Sequence, residues 1–355
     1  MFSEATGQLL ARARTLSWER FGKRVAFYVP GMFIVDGVRG RYPAISITGT
    51  SCGLGCDHCS GEILNSMPAA PSPGELVDVC LRLRDAGAEG FLITGGSDAR
   101  GRLPWNRFLD ALAEVKRRTA LHVSVHAGMV DGRTAAALKR AGVDQANLDI
   151  VGAEETWREV IHLEDGAALL DRSLDALAGA GLEMVPHVVM GIHAGRIVGE
   201  RRALEIVQRY PPKLLVWVVL MPLPHTPMAG AAPPALEEAA RLLAESRLLL
   251  RDTELALGCA RPRGEYGRAL ERIAIEAGVN RVALYSEESV DYARSLGLEV
   301  GFLQTCCSLA AARPVAVPAA LSAARPDAPP ARFPVAQPGA AMPQPLVRIG
   351  IKESR

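Results

Sequence analysis

Between residues 44 and 303, short runs of β-branched and aliphatic residues alternate with helical stretches of about three turns. This alternation restricts the fold more than any other property of the chain. The runs predict eight strands, at Ala44–Thr48, Gly90–Thr94, Leu121–His126, Gln145–Val151, Met184–Met190, Leu214–Leu220, Glu254–Gly258 and Arg281–Tyr285, and a ninth apolar run follows at Leu298–Leu303. The intervening stretches carry helix signals. Ser72-Pro73-Gly74-Glu75 reads as a capping box with Pro at the first helical position. Ala86-Gly87, Ala141-Gly142, Ala180-Gly181 and Ala277-Gly278 read as helix stops just before a strand. Eight such units over about 240 residues suggest an α/β fold of the TIM-type, a (βα)8-like barrel. A doubly wound sheet shares the same local pattern.

Composition sets the limits around this core. With 49% hydrophobic residues in 355, the chain is neither disordered over most of its length nor short of material for a sizeable core. The balance of 40 Lys+Arg against 39 Asp+Glu, with a pI near 7.6, argues against a nucleic-acid protein held by bulk charge. The longest apolar run, Leu214–Leu220 continuing into Met221-Pro222, falls far below the roughly 18 to 20 residues of a membrane helix. Met1–Leu10 shows no basic stretch followed by an apolar one, so no signal peptide is visible and a cytoplasmic location is expected. Residues 1–43 read as a lead-in, with a short amphipathic helix within Glu4–Phe27 that Pro30-Gly31 breaks. Residues 44–308 read as the barrel with a post-barrel extension. From Ala310 to Pro345 the chain is mostly Ala and Pro, and 309–355 is expected to be a disordered or PPII-like tail, too poor in large apolar side chains to offset its chain entropy.

The seven cysteines are odd in number and unevenly placed, which disfavours a disulfide framework and favours metal or redox chemistry. Cys52-Gly53-Leu54-Gly55-Cys56-Asp57-His58-Cys59 follows the first expected strand with the spacing C-x3-C-x2-C. A loop this tight, relieved by two glycines, can turn three thiolates toward one point, and such soft ligands suit an Fe–S cluster or zinc. Structural zinc ordinarily takes a fourth ligand at fixed spacing, and none follows nearby. Three ligands leave one metal position open for chemistry.

Other motifs sit at expected strand ends. Gly95-Gly96-Ser97-Asp98 ends the second strand, where two glycines let a ligand approach the backbone. Asn147 and Asp149 lie two apart on one strand and so share a face, where polar groups need ligands or partners. His122, Ser124 and His126 share a face of the third strand, and Arg261 and Arg263 follow the seventh, placed to hold a carboxylate.

The cysteine loop after the first strand of a barrel resembles the radical SAM superfamily. The resemblance implies that Cys52, Cys56 and Cys59 hold a 4Fe–4S cluster and that its fourth iron chelates S-adenosylmethionine. One-electron cleavage then gives a 5′-deoxyadenosyl radical that abstracts hydrogen from substrate. By the same likeness Gly95, Gly96 and Ser97 stand where the family binds the methionine amino group, with the acidic residue one step late. Asn147 and Asp149 resemble the Asn-Leu-Asp stretch of biotin synthase, with Asp149 on the ribose hydroxyls. Ile192 would pass the adenine, His58 would stack near it, and Arg261 would serve the cofactor or substrate carboxylate. Met221–Met228 resembles a loop of the same branch, with His225 in place of a glycine.

Cys80 lies in a helical stretch and reads as a core residue. Cys259 ends the seventh strand and Cys306-Cys307 ends the ninth run, so a post-barrel segment folding over the barrel would bring three thiols together. They are expected to hold a second Fe–S cluster, with Ser308 or an arginine as a further ligand. Biotin synthase and lipoyl synthase use such a cluster as a sulfur source. Here the matching inner strands lack cysteines and none precedes Cys52. On Ile47-Thr48-Gly49-Thr50-Ser51-Cys52, Gly258-Cys259-Ala260-Arg261-Pro262 and the C-terminal Cys306-Cys307, the chain resembles the biotin synthase/lipoyl synthase-like branch and, within it, the second subunit of two-component lipoyl synthases. That resemblance implies sulfur insertion into an octanoyl chain on a lipoyl carrier domain or into a small-molecule substrate, a ferredoxin or flavodoxin electron donor, and a second radical SAM subunit. A carbon-skeleton rearrangement or cofactor-maturation enzyme, like methylornithine synthase or the hydrogenase maturase, is the alternative within the superfamily, and a non-catalytic metal-binding scaffold the alternative outside it.

Overall fold

The computed structural model describes residues 2–31, 33–35, 37–310 and 348–349. Ten strands form one all-parallel sheet: β1 (Arg24–Tyr28), β2 (Ala44–Ser46), β3 (Gly90–Thr94), β4 (His122–His126), β5 (Gln145–Asp149), β6 (Glu183–Met190), β7 (Leu214–Val219), β8 (Glu254–Leu257), β9 (Arg281–Ala283) and β10 (Glu299–Leu303). The order is β10-β1-β9-β8-β7-β6-β5-β4-β3-β2, so consecutive strands are neighbours from β2 to β9. Among the described residues no ladder joins β2 to β10, and the sheet is a curled half-barrel rather than a closed one. The expected α/β barrel of βα units is present.

The crossover helices are α2 (Pro73–Asp85), α3 (Leu109–Thr119), α4 (Gly132–Arg140), α5 (Gly166–Gly179), α6 (Glu200–Arg209), α7 (Leu236–Leu249), α8 (Gly264–Glu276) and α9 (Glu287–Ser295). Local signals place their ends. The capping box closes both ways, Glu75 N–H donating to Ser72 Oγ (3.4 Å) and Ser72 N–H to Glu75 Oε2 (2.9 Å). Gly87, Gly142, Gly181 and Gly278 all adopt positive φ (63 to 90°), the left-handed stop only glycine takes without strain.

The lead-in differs from its expectation. Its helix ends at Phe21 with Gly22 at φ +81°, and Arg24–Tyr28 is strand β1, inserted between β9 and β10. A five-residue apolar run is equally a strand or a helix turn by pattern, and sheet pairing decides it. The preceding helix Glu4–Phe21 packs on α7 and α8. At the other end, Leu309 and Ala310 are packed inside, Ala310 N–H donating to Gln145 Oε1 (3.0 Å). Of the expected tail, Arg348–Ile349 pairs in parallel with Ile34–Val35, and residues 311–347 and 350–355 lie outside the described residues.

The strands are buried on both faces, as a parallel sheet covered by helices requires. Phe27, Ile45, Phe91, Ile93, Val125, Leu148, Leu215, Trp217, Leu255 and Val282 face outward into the helix layer. The alternate residues line the barrel interior, and the two halves of that lining differ. Ala26, Tyr28, Val185, Leu214, Val216, Val218, Ala256 and Ala283 make an apolar wall. His122, Ser124 and His126 on β4, Gln145 and Asn147 on β5 and His187 on β6 make a polar one.

Candidate active site

The cysteine loop leaves the C-terminal end of β2 and is tied to three other segments. Gly96 N–H donates to Thr48 Oγ1 (2.7 Å) and Gly53 N–H to Ser97 O (2.6 Å), which fixes the loop against the end of β3. A Cβ on Gly96 would lie 2.0 Å from Ser51 O and 2.6 Å from Cys52 Cα, so no other residue permits this approach. Asp57 N–H donates to Val160 O (2.9 Å) and Cys56 Sγ to Ile161 O (3.6 Å), within one wide helical turn, Trp157–Ile161. Such wide turns are rare and gather at functional sites. Met228 N–H donates to Asp57 O (3.3 Å), bringing in the loop after β7.

The thiols of Cys56 and Cys59 are in hydrogen-bond contact, and Cys52 acts on Cys56 by charge. The Cys56 side chain beside it holds the Cys59 pKa down to about 4, with His58 adding to the effect. Cys56 is driven up by the same contact and by burial. Burial works against a charged His58, but its hydrogen bond to Cys59 and the charges of Cys59, Asp149 and Asp57 outweigh it, and the net shift is upward. His58 Nδ1 is buried with no partner. Among the described residues no three Cys, His, Asp or Glu side chains converge on the point a single metal ion would occupy. A cubane needs no such point, since each thiolate binds its own iron. Three adjoining thiols, a glycine cradle against Cys52 and an unpartnered imidazole nitrogen beside them fit an Fe–S cluster with a ligand next to it.

The other expected cofactor residues are distributed around this loop. Gly95, Gly96 and Ser97 lie against it. Asp98 accepts the Arg100 and Arg102 N–H groups (2.8 and 2.9 Å), which makes it a turn-former. Asp149 is exposed at the end of β5 and acts by charge on His58 and His187. Asn147 is buried and accepts from Gln145 Nε2 (2.7 Å). Ile192 lines a small pocket with Ile150, Val151, Val188, Val198 and His193. Glu200, which the sequence reading passed over, shapes this pocket: its carboxylate accepts the Gly191, Val198 and Gly199 N–H groups (2.7, 2.8 and 3.0 Å).

Arg261 is a correction. Its guanidinium is fully buried and bonded to Gly258 O, Ala283 O (both 2.6 Å), Leu284 O (3.0 Å) and Glu271 Oε1 (2.6 Å). Only its Nε–H lacks a partner, so no fork remains for a cofactor carboxylate. Arg263 likewise bonds Cys259 O (2.5 Å), and burial, with repulsion from Arg261, lowers its pKa to about 10.

Inside the barrel Cys259 packs against the apolar cluster that contains Cys307, and charge couples Cys259 to Cys306 and Cys307. The Cys307 thiol donates to Cys306 and lowers its pKa to about 6, with Ser308 adding to the effect, and Cys306 Sγ lies 3.0 Å from Ser308 Oγ. The segment is held from both sides. Gln145 Nε2 donates to Ser308 O (2.8 Å), and Arg281 Nη1 donates to Cys307 O (3.1 Å) and Leu309 O (2.6 Å). Arg281 is itself paired with Glu254. The sequence reading missed Gln145, Glu254 and Arg281, because a polar residue at the start of a strand carries no signal of the chain it will meet. Cys80 is buried in α2.

The Radical SAM superfamily model matches residues 46–209. The biotin synthase of Leptothrix cholodnii is 26% identical over 251 residues, covering 67% of this chain and 69% of that protein. The biotin synthase of Leptospira biflexa is 26% identical over 267 residues, covering 71% and 68%. Among solved structures, methylornithine synthase superposes with a TM-score of 0.59 at 16% identity, covering 85% of this chain and 91% of that one. The FeFe-hydrogenase maturase HydG of Carboxydothermus hydrogenoformans gives 0.60 at 16% identity, covering 87% and 75%. These two share the fold. The chain is thus similar to the radical SAM superfamily over residues 46–209. Its homologues include biotin synthases at about 25% identity, and the superfamily's cofactors are a 4Fe–4S cluster and S-adenosylmethionine. No helix among the described residues is long and apolar enough to cross a membrane.

Proposed function

We propose that the protein inserts sulfur at an unactivated C–H position of an aliphatic chain, with an octanoyl group on a lipoyl carrier domain as the substrate. When bound, the first cluster and S-adenosylmethionine supply a 5′-deoxyadenosyl radical for hydrogen abstraction. Cys52, Cys56 and Cys59 would hold that cluster. Gly95–Ser97 would offer backbone to the methionine end, Asp149 the ribose contact and the Ile192 wall the adenine contact. The observation that carries the proposal is a second gathering of thiols in the barrel interior, Cys306 beside Cys307 and Cys259 against the same cluster, suited to a sulfur-donating cluster. The biotin synthase relatives support sulfur insertion as the reaction class. The apolar wall from β6 to β9 and β1 suits an alkyl chain. An electron donor such as ferredoxin or flavodoxin, a second radical SAM subunit for the other sulfur, and a cytoplasmic setting that keeps the thiols reduced belong to the same proposal.

Anaerobic reconstitution tests the cluster count: about eight iron per chain supports the proposal and about four overturns it. Incubation with an octanoylated carrier peptide, with and without candidate partner subunits, tests the substrate. A gain of sulfur mass is expected, and none in any combination refutes lipoyl synthesis. A second reading, a small polar substrate, is favoured by the opposite wall of His122, Ser124, His126, Asn147 and His187. It predicts sulfur incorporation into a free small molecule while the carrier peptide stays unmodified.

A further inference from the structure

The interior cysteines have three sulfurs and no fourth cysteine beside them, and the polar groups around them are nearly all engaged. Arg281 spends Nε and Nη2 on Glu254 and Nη1 on Cys307 O and Leu309 O. The Gln145 amide is taken by Asn147, Ser308 O and Ala310 N–H. Ser308 Oγ pairs with Cys306 Sγ.

Tyr28 is different. It ends β1 with 0% exposure and belongs to the same apolar cluster as Cys307, Ala283 and Val216. The Arg281 guanidinium lies 5.8 Å from its ring centroid. The charges of Cys306 and Cys307 both act on it. Yet its hydroxyl, like that of Thr305 next to Cys306 in the chain, is buried with no hydrogen-bond partner. An orphaned buried hydroxyl is destabilising, and phenylalanine would fill the same space without that cost. A phenol at neutral pH is a donor, and the sulfurs of Cys307, in the same cluster, and of Cys306, whose charge reaches it, are acceptors in that interior.

We propose that Tyr28 donates its phenolic hydrogen bond to a sulfur of the cluster held by Cys259, Cys306 and Cys307 and so tunes that cluster's reduction potential. This rests on the second-cluster reading above. A hydrogen bond to a cluster sulfur stabilises the more negative, reduced state, so it raises the potential. Tyr28 is therefore a positioning and tuning residue for the cluster.

The test compares Tyr28→Phe with Tyr28 in the full chain carrying Cys52→Ala, Cys56→Ala and Cys59→Ala, which removes the first cluster's signal. Without metal, Tyr28→Phe should melt at the same temperature or higher, because it deletes an unpartnered group. After reconstitution it should bind the same iron and sulfide per chain, with the potential in an EPR-monitored titration moved to a more negative value. A lower melting temperature without metal would give the hydroxyl a protein partner and overturn the proposal. An unchanged potential and spectrum with full iron would overturn it while leaving the second cluster standing. If the triple-alanine background binds no iron and the wild-type chain binds only about four, the second cluster is refuted, and the role of Tyr28 with it.

Discussion

Replacing Glu271 by Ala in the metal-free protein removes the carboxylate that faces Arg261 in the core. The two side chains are 4% and 0% exposed, and the pair is closed at 2.6 Å. Glu271 Oε2 also accepts Ser286 N–H (2.8 Å) and Ser286 Oγ–H (2.6 Å), at the cap of α9. Removing one member of a buried ion pair strands the other charge, which costs about 3–5 kcal/mol. Loss of the Ser286 contacts adds about 1 kcal/mol. Against the roughly 5–15 kcal/mol that holds an ordinary domain together, this is a severe loss. Urea unfolding followed by far-UV circular dichroism should show the midpoint falling with little change in slope. A double variant, Arg261→Met with Glu271→Leu, should recover most of the stability, since apolar side chains of similar volume replace such pairs at little cost. If Glu271→Ala instead loses under about 1 kcal/mol, the range of an exposed pair, and weakens S-adenosylmethionine binding, then Arg261 serves the cofactor and the structural reading is refuted.

Two further outcomes follow from the geometry. Gly96→Ala drives a Cβ into Ser51 and Cys52 of the cysteine loop, so iron bound per chain on reconstitution should drop by about one cluster while the metal-free fold persists; full iron content would show that the loop yields freely. His187 has its pKa lowered to about 4, by burial first and by His126 second, against 6.5 when unfolded. The unfolded chain therefore takes up this proton first as pH falls. The stability contributed by neutral His187 is complete above about pH 6.5 and is lost progressively toward pH 4. Urea midpoints measured across that window should slope less steeply in His187→Asn, and parallel slopes would contradict the assignment.

How much of the fold was legible in the sequence follows the range of the interactions. The βα alternation, the capping box at Ser72 and the glycine stops at Gly87, Gly142, Gly181 and Gly278 are local, and each appeared where the pattern put it. The cysteine loop was legible too, because its three cysteines lie within eight residues. Arg24–Tyr28 was not, since its run is too short for a period to separate helix from strand. Arg261 was misjudged because an arginine's role depends on what carboxylate reaches it, and Glu271 arrives from the following helix. Glu200, Gln145 and Arg281 bond main chain from other elements, which no spacing announces.

Sequence alone thus determined the class of fold and the first set of thiols, both products of short-range periodicity and loop geometry. Tertiary structure alone decided what stands inside the barrel. It curled the sheet so that Cys259 and Cys307 share one interior cluster, gave the interior one apolar and one polar wall, and left the Tyr28 hydroxyl buried there without a partner. Those juxtapositions arise where strands distant in the chain share one face, and burial there decides which polar groups find partners.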